Sequence, residues 1–472
     1  MVVVFVLVAL LVVGVLVAAN RYLWLRLFRD TTRAPGPARR IGAAVIAGGW
    51  VLAVGALVAE RTGAPFWLQR VLAWPGFLWL ALSIYLLLAV IAGEVVRPLL
   101  LRLLERRAAA RRTGEAAEPS AAADAERITA GGAAPPKTSE ASGASGASGA
   151  SEARETSDPP EPGRPETDTP ETDTPDTPDV LEAPDPAPGS GSPSPLALPS
   201  RRLFVSRVVA GAAAAAAVGT VGYGTYGVLS GPKVKRVTVP LAKLPRTAHG
   251  FRITVVSDIH LGPVLGRGFA QKVVDTVNST QPDLIAVVGD LVDGSVKDLG
   301  PAAAPLSGLQ ARHGAYFVTG NHEYFSGAEQ WVAEVRRLGL LPLENARTEL
   351  PHFDLAGVND VAGEDEGQGP DYAKALGDRD RSRACVLLAH QPVQIHDAVD
   401  HGVDLQLSGH THGGQLWPGN LIAGAANPTL AGLERYGDTQ LYVSRGAGAW
   451  GPPTRVGAPS DITVIELASR QA

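Results

Sequence analysis

The sequence predicts an α/β (α+β) domain in which two mixed β-sheets pack together with helices on their outer faces, preceded by transmembrane helices. From about residue 233 onward, short runs rich in Val, Ile and Leu alternate with helical patterns. Polar motifs rich in Asp, His and Asn directly follow several of these runs. The first hundred residues instead contain long apolar runs, which inflate the hydrophobic fraction of 45% for the 472-residue chain.

Composition divides the chain into four parts. Residues 1–112 are predicted to form a three-helix transmembrane region, and residues 201–230 a twin-arginine-like motif with a fourth transmembrane helix. Residues 113–200 hold 4 Lys/Arg against 17 Asp/Glu, a net charge of −13, and are rich in Pro, Ser and Gly. Such a segment buries too little apolar surface to order itself, so we expect a disordered acidic linker. Residues 231–472 form the predicted catalytic domain.

Charge and cysteine content exclude several classes of protein. Residues 231–472 hold 21 Lys/Arg against 26 Asp/Glu, a net charge of −5, with no basic cluster. A nucleic-acid partner is therefore not expected, because its binding surface would need clustered Lys and Arg. The single cysteine, Cys385, excludes an intramolecular disulfide and a cysteine-rich zinc module.

Four apolar runs are long enough to cross a bilayer. They cover residues 2–19, 42–59, 73–93 and roughly 208–229. A cleaved signal peptide is the alternative for the first run, although it lacks a basic n-region and a clear cleavage site. A buried Ala-rich helix is the alternative for the fourth run. The first three runs carry no acid or base at mid-depth, which favours an anchor over a transport path.

The distribution of arginines predicts the orientation of these spans. Six arginines lie between the first and second runs and six follow the third, whereas the loop between the second and third runs holds only Arg61 and Arg70. Arginine-rich loops face the cytoplasm. The chain is therefore predicted to be a multi-pass cell-membrane protein whose catalytic domain is extracytoplasmic.

The segment Ser200–Val205, which contains Arg201 and Arg202, directly precedes the fourth run. It resembles a twin-arginine export signal, here internal rather than N-terminal. Export by that route moves folded proteins, so metals could be loaded before export. Ordinary positive flanking of a transmembrane helix is the alternative explanation for the two arginines.

Each polar motif follows a predicted strand. Strands are predicted at Phe251–Val256, Asp283–Val288, Ala315–Val318, Cys385–Leu388, Val403–Leu407, Leu441–Ser444 and Ile462–Ile465, and helices at Gly268–Asn278 and 327–338. The motifs are Asp258-Ile259-His260, Gly289-Asp290-Leu291-Val292-Asp293, Gly320-Asn321-His322-Glu323, His390, and Gly409-His410-Thr411-His412. Loops at the carboxyl ends of strands meet at one edge of an α/β sheet, so these motifs are expected to converge.

The chemistry of these side chains points to a pair of metal ions. Asp, His and Asn are ligands suited to Mn, Fe or Zn. Two such ions about 3.5–4 Å apart can clamp both ends of an in-line phosphoryl displacement. The sequence therefore predicts a phosphoester hydrolase.

The ordered set D-x-H, G-D-x-x-D, G-N-H-[ED], a single His and G-H-x-H resembles the calcineurin-like metallophosphoesterase family. All five motifs occur in that order over residues 251–415. The tail Ser444–Gly448, followed by Gly451-Pro452-Pro453, is similar to a membrane-anchored bacterial branch of the family. The resemblance implies the family's four-layer sandwich and two divalent metal ions, of Mn, Fe or Zn.

The resemblance also implies a role for each motif residue. The first ion would be held by Asp258, His260 and His412, and the second by Asn321, His390 and His410, with Asp290 bridging both. A water shared by the ions would attack phosphorus in line, because metal binding lowers its pKa from ~15.7 toward ~7. His322 is implied to face the substrate, where it stabilises developing charge or protonates the leaving oxygen.

Residues beside the ligands are expected to act indirectly. Asp293 is predicted to orient a ligand, with direct metal binding as the alternative, and Glu323 to be structural or orienting. Arg445 could bind a substrate phosphate or pair with a carboxylate. Three glycines are predicted to permit turns that a Cβ would obstruct, namely Gly289, Gly320 and Gly409.

Three functional interpretations remain at this point. The leading one is a membrane-anchored phosphodiesterase or phosphomonoesterase that acts on a lipid-linked or cell-envelope phosphoester. The second is a nucleotide or cyclic-nucleotide phosphodiesterase. The third is a non-catalytic membrane receptor or scaffold with a relic hydrolase domain, and the intact ligand set counts against it. The sequence does not specify the oligomeric state or the identity of the metals.

Overall fold

The computed structural model describes residues 2–115 and 200–470. The helices are α1 Val2–Trp24, α2 Pro37–Arg61, α3 Phe66–Glu115, α4 Arg201–Leu229, α5 Arg267–Ser279, α6 Val296–Ala303, α7 Asn321–Ser326, α8 Ala328–Arg337, α9 Tyr372–Leu376, α10 Ile395–Asp400 and α11 Gly419–Ala426. The strands are β1 Lys233–Leu241, β2 Phe251–Val256, β3 Leu284–Val288, β4 Ala315–Val318, β5 Leu341–Pro342, β6 Ala346–Glu349, β7 Asp354–Gly357, β8 Cys385–Leu388, β9 Leu405–Ser408, β10 Gly432–Tyr436, β11 Thr439–Val443 and β12 Asp461–Ser469. The predicted linker lies outside the described residues except at its two ends.

Two six-stranded sheets confirm the predicted fold class. The first has the order β1-β12-β2-β3-β4-β5 and the second the order β10-β11-β9-β8-β7-β6. Strands β2, β3 and β4 run parallel to one another, as do β7, β8 and β9. Antiparallel pairs such as β12–β2 and β6–β7 make both sheets mixed. Because the central strands of each sheet are parallel, their carboxyl ends share one edge.

Apolar layers lie between the sheets and on their outer faces. Phe353, Tyr442 and Ile253 are fully buried between the two sheets. Trp331 of α8 packs on the outer face of the first sheet, and Ile395 of α10 packs on that of the second. Each fully buried large apolar side chain contributes about 1.5–3 kcal/mol to the stability of this arrangement.

Local sequence patterns locate the central strands better than the edge strands. Strands β2, β4 and β8 have the predicted bounds, and β3, β9, β11 and β12 overlap their predicted segments. The patterns miss β1, β5, β6, β7 and β10. Of these, β5 has two residues, and β6 and β10 are partly exposed edge strands. Edge strand β1 pairs only with β12, more than 200 residues away, and such pairing leaves no local pattern.

Helices α1 to α4 are each long and apolar enough to cross a membrane. They contain the four predicted runs and extend beyond them. Helix α1 packs against α2, where Trp50 Nε1 donates a hydrogen bond to Asn20 Oδ1 at 2.8 Å. Helices α3 and α4 meet at Gly93, where a Cβ would lie 2.6 Å from Val209 Cγ1. The four helices therefore form a packed bundle.

One end of this bundle carries a network of ion pairs. Asp30, which follows α1, lies 2.9 Å from Arg26, and Glu94 of α3 lies 3.2 Å from both Arg26 and Arg97. These residues border the two arginine-rich loops. At the start of α4, Ser200 accepts a hydrogen bond from the Leu203 amide at 3.3 Å, which makes it an N-cap residue.

The other end of the bundle packs against the sheet domain. Phe66, at the start of α3, and Val228, near the end of α4, contact the apolar cluster that covers the first sheet. Thr225 of α4 lies 2.7 Å from Thr454, hydroxyl to hydroxyl. A Cβ on Gly224 would lie only 2.7 Å from the Arg455 carbonyl oxygen. The sheet domain thus contacts the helix ends opposite the arginine-rich loops.

Candidate metal centre

The five polar motifs converge where the facing edges of the two sheets meet. Asp258, Asp290 and Asn321 follow β2, β3 and β4 of the first sheet, and His390 and His410 follow β8 and β9 of the second. Two groups of side chains with no residue in common each bring their donor atoms within 4.8 Å of one another. The first group is Asp258, His260 and His412, and the second is Asp290, His390 and His410. A third such set, His260, Asp293 and His322, shares His260 with the first group.

Asp290 lies between the two groups. Its Oδ2 is 3.1 Å from His390 Nε2 and 3.8 Å from His260 Nε2. Its Oδ1 accepts a hydrogen bond from the His322 amide at 2.9 Å. Burial opposes ionisation of this carboxyl, but His390, His260 and His322 together outweigh burial and hold the pKa of Asp290 well below its usual range. Asp290 is therefore an anionic side chain placed between the two groups, where it could contact a cation on either side.

The first group directs three potential metal-binding atoms toward one small space. His260 Nε2 and His412 Nε2 are 3.0 Å apart, and His412 Nε2 is 3.4 Å from Asp258 Oδ1. Asp258 is held by the hydroxyl of Ser257 at 2.6 Å and the amide of His410 at 3.0 Å. Burial is the main reason that the pKa of Asp258 is raised. A cation bound here would lower the pKa of Asp258, because a nearby positive charge favours the carboxylate over the neutral acid.

The second group contains a nitrogen suited to a metal. His390 Nδ1 lies 2.9 Å from the carbonyl oxygen of Val288, so Nδ1 carries the proton and donates it. His390 Nε2 is fully buried and has no hydrogen-bond partner, although Asp290 Oδ2 is 3.1 Å away. Two atoms with lone pairs at that separation need a proton or a metal ion between them. Asn321 Oδ1, 3.0 Å from Nδ1 of His410, adds one further oxygen beside this group.

Asp293 links two histidines through one oxygen of its carboxylate. Its Oδ1 lies 2.8 Å from His260 Nδ1 and 2.7 Å from His322 Nδ1. This contact leaves His260 Nε2 free to bind a metal, which is the orienting role that the sequence predicted. Burial would raise the pKa of Asp293, yet the charge of His260 lowers it to about 2.

His322 lines the cavity in front of both groups. Burial opposes its positive charge, but the hydrogen bond and charge of Asp293 outweigh burial and raise the pKa of His322 to about 9. A protonated His322 can donate a proton, and its Nδ1 is already occupied by Asp293. The position therefore suits a proton donor better than a metal ligand.

Glu323 ties two motifs together through the backbone. It is fully buried and accepts hydrogen bonds from the amides of Asp290 at 2.9 Å, Leu291 at 2.7 Å and Gly320 at 2.6 Å. Burial, with the negative charge of Asp290 next, raises the pKa of Glu323 to about 7. Its structural role is as predicted, because it holds the loops after β3 and β4 in register.

The backbone at the site is strained. Five of the seven predicted ligands have left-handed φ angles: Asp258 52°, His260 48°, Asp290 52°, His410 72° and His412 52°. Each such conformation costs about 1–3 kcal/mol and persists only where the surroundings enforce it. Gly409 shows one such constraint, because a Cβ there would overlap the Ser257 hydroxyl. A Cβ on Gly320 would likewise overlap Asp290, so the predicted need for these glycines is confirmed.

Arg455 is a buried site residue that the motifs do not reveal. Its Nη1 donates to the His412 carbonyl at 3.0 Å, and its Nη2 lies 3.0 Å from His412 Nδ1. A guanidinium only donates, so Nδ1 accepts and the proton of neutral His412 lies on Nε2. Metal binding through Nε2 must therefore release that proton. Arg445, by contrast, is 35% exposed and lies 3.9 Å from Asp461, which favours carboxylate pairing over phosphate binding.

A cavity of about 760 Å³ opens onto the metal-ligand cluster. Its wall includes residues from the sheet domain and from the long apolar helix α2. From α2 come Leu57, Val58, Glu60 and Arg61, and from the sheet domain come Asp290, Asp293, Gly294, Asn321, His322, Phe325, Ser326, His410, His412 and Trp450. The Arg61 guanidinium lies 5.3 Å from the centre of the Phe325 ring. Sequence reasoning missed the α2 wall because nothing in an apolar span marks which side chains will face a distant loop.

Comparison with known proteins agrees with this geometry. Residues 251–414 match the model of the family described as calcineurin-like phosphoesterase. An uncharacterised metallophosphoesterase of Helicobacter pylori is 38% identical over 273 residues, covering 57% of this chain and 73% of the relative. An uncharacterised metallophosphoesterase of Bacillus subtilis is 30% identical, covering 57% of this chain and 98% of the relative.

The chain belongs to the calcineurin-like metallophosphoesterase family and is a phosphoester hydrolase. The predicted restriction to a bacterial branch is wrong. A transmembrane protein with a metallophosphoesterase domain from Danio rerio is 38% identical over 259 residues, covering 52% of this chain and 59% of the relative.

Proposed function

We propose that the chain is a membrane-anchored phosphoesterase that uses two divalent ions to hydrolyse a phosphoester carried by a membrane lipid or a lipid-linked envelope precursor. The observation that carries this proposal is the shared cavity. Transmembrane helix α2 supplies Leu57 and Val58 to the same cavity that holds the predicted ligands. A substrate whose phosphate reaches those ligands also meets apolar side chains of a membrane span.

The donor set fits two ions of Mn, Fe or Zn. Asp258, His260 and His412 would hold the first ion, and Asn321, His390 and His410 the second, with Asp290 shared. When bound, the two ions supply Lewis acidity toward the phosphate and a water activated for in-line attack. Asp290 compensates the charge of both ions, and the neutral Asn321 amide leaves the site short of full neutralisation.

His322 completes the reaction by handling the leaving group. It is held in the cavity wall by Asp293 and by the hydrogen bond that its backbone amide donates to Asp290. With its pKa raised to about 9, chiefly by Asp293 against the opposing effect of burial, the imidazole is protonated at neutral pH. It can therefore donate a proton to the departing oxygen or stabilise negative charge on the phosphoryl oxygens.

The orientation of the catalytic domain follows from the arginines. The sheet domain contacts the ends of α3 and α4 that lie opposite the arginine-rich loops. Since those loops face the cytoplasm, we infer that the catalytic domain is extracytoplasmic. The twin-arginine-like segment Ser200–Val205 would export the folded domain, but the inferred orientation does not depend on that route.

Asp290→Asn is expected to remove bound metal and lower hydrolysis of bis-p-nitrophenyl phosphate roughly 100-fold or more, because the shared charge is lost. Metal content per chain is measured by inductively coupled plasma spectrometry alongside activity. Asp438→Asn, on an exposed turn between β10 and β11, is the matched control and should change neither value. A variant that kept both metals would contradict the shared role of Asp290.

His322→Ala is expected to lower turnover about 10²- to 10⁴-fold while metal content stays near normal. The physical reason is that a proton donor is lost while every predicted ligand remains. His352→Ala, at a histidine outside the five motifs, serves as the control. Loss of metal from His322→Ala would instead make His322 a ligand.

Substrate preference separates the lipid proposal from the nucleotide alternative. With Mn²⁺ present, the full chain should hydrolyse a phospholipid in mixed micelles at least about tenfold more efficiently than cyclic nucleotides or p-nitrophenyl phosphate, as remote apolar contacts add binding energy. Leu57→Gln should lower only the lipid reaction. Equal or better hydrolysis of nucleotides would favour the nucleotide phosphodiesterase.

Protease treatment of intact spheroplasts tests the orientation. If the catalytic domain is extracytoplasmic, an added protease should cleave within residues 231–472 without lysis. A cytoplasmic marker protein is the control and should stay intact until detergent is added. Complete protection of the catalytic domain until lysis would reverse the assigned orientation.

A further inference from the structure

The loop that follows the last metal-ligand motif is unusually apolar. Residues 413–433 contain no Asp, Glu, Lys, Arg or His, although the chain is 19% charged overall. Helix α11 lies in the middle of this loop and has no buried residue. We call residues 416–433 the apolar segment. It is part of the sheet domain, not of the four long helices.

The apolar segment exposes its largest side chains. Trp417 is 51% exposed, Leu421 67% and Ile422 78%. Each would cost free energy in water in proportion to its apolar area. Grouped exposure of this kind, in a stretch without charge, marks a surface that another apolar phase covers.

The position of the segment identifies that phase. Tyr85 of α3 donates a hydrogen bond to the Trp417 carbonyl at 2.9 Å. Leu416 packs against the apolar cluster that Tyr85 forms with Ala81 and Val221 between α3 and α4. The segment therefore lies alongside the transmembrane bundle and is continuous with its surface.

The depth of this contact can be read along α3. Tyr85 lies fifteen residues after Arg70 and nine before Glu94, the charged residues that bound the uncharged stretch. At 1.5 Å per residue these separations are roughly 22 Å and 14 Å along the helix axis. A bilayer core is about 30 Å thick, so Trp417 meets α3 well inside the hydrocarbon zone.

The backbone of the segment is prepared for a dry environment. Carbonyl groups outside a regular ladder need partners where water is absent. Four carbonyls of the segment accept hydrogen bonds from side chains. The pairs are Tyr85 to Trp417 at 2.9 Å, Asn427 to Ala423 at 3.0 Å, Tyr436 to Pro428 at 2.9 Å and Thr411 to Leu430 at 2.6 Å.

We propose that the apolar segment is a membrane-inserted element of the catalytic domain, with Leu421 and Ile422 in contact with lipid hydrocarbon. It begins four residues after His412, so the loop that carries two predicted ligands continues directly into the bilayer. The insertion holds the metal centre close to the membrane, independently of which phosphoester is cleaved. It rests on the four long helices crossing the membrane.

Site-directed spin labelling of the full chain in lipid nanodiscs tests this insertion. The only native cysteine, Cys385, is fully buried, and burial raises the pKa of its thiol to about 12, so it resists labelling. Labels are placed singly at Leu421→Cys and Ile422→Cys. Both positions are exposed, so neither substitution opens a cavity. Collision rates with oxygen, which concentrates in hydrocarbon, are compared with those of a water-soluble nickel chelate.

Two matched controls set the scale. Val218→Cys, on α4 and 59% exposed, reports a lipid-facing position, and Leu341→Cys, at the start of β5 and 49% exposed, reports a water-facing one. Labels at 421 and 422 should match Val218, with oxygen collisions exceeding nickel collisions. A match to Leu341 would overturn the insertion while leaving the spans intact.

Two other outcomes also overturn the proposal. Protection of 421 and 422 from both reagents would mean that protein, such as a second copy of the chain, covers the segment. A water-like result at Val218 itself would mean that α4 does not face lipid, and the insertion and the membrane-anchored function would then fail together. The activity of the Leu421 and Ile422 variants toward soluble phosphoesters then shows whether the hydrolase function is retained in either case.

Discussion

The structure depends on one buried carboxylate held between histidines from two sheets. Asp290 comes from the first sheet, and His390, 3.1 Å from it, comes from the second. Asp290 would not be stable in this position alone, because a buried carboxylate needs positive charge beside it. The contact joins the facing edges of the two sheets at a buried polar centre, which brings together His and Asp groups that could bind metal.

Fixing these groups requires left-handed backbone conformations, which most residues other than glycine avoid. Asp258, His260 and His412 have φ angles near +50°. Hydrogen bonds within and between the site loops hold the backbone in place. Glu323 accepts three amide hydrogen bonds, and Ser257 holds the Asp258 carboxylate at 2.6 Å. Strain at functional sites persists in this way when many contacts over-determine it. The ligands are consequently in position before a metal or substrate arrives.

Two of the four long apolar helices contribute to the surroundings of the site. Helix α2 provides a wall of the cavity, and α3 contacts the loop that begins just after His412. The sheet domain closes against Gly224 and Thr225 of α4, where small side chains permit a close approach. The cavity beside the candidate ligands is therefore lined by two apolar and two charged side chains of α2, namely Leu57, Val58, Glu60 and Arg61.

The sequence by itself predicted the candidate ligand residues, and it located the central strands that carry them and the four long apolar helices. Those features are local: a motif follows a strand, and a helix needs only a long apolar run. Only the tertiary structure decided that Arg455 touches His412, that α2 lines the cavity and that Trp417 meets Tyr85, 332 residues away. Edge strand β1 belongs with these, since it pairs with distant β12. Contacts between distant segments depend on the packing of whole elements, which no local pattern encodes.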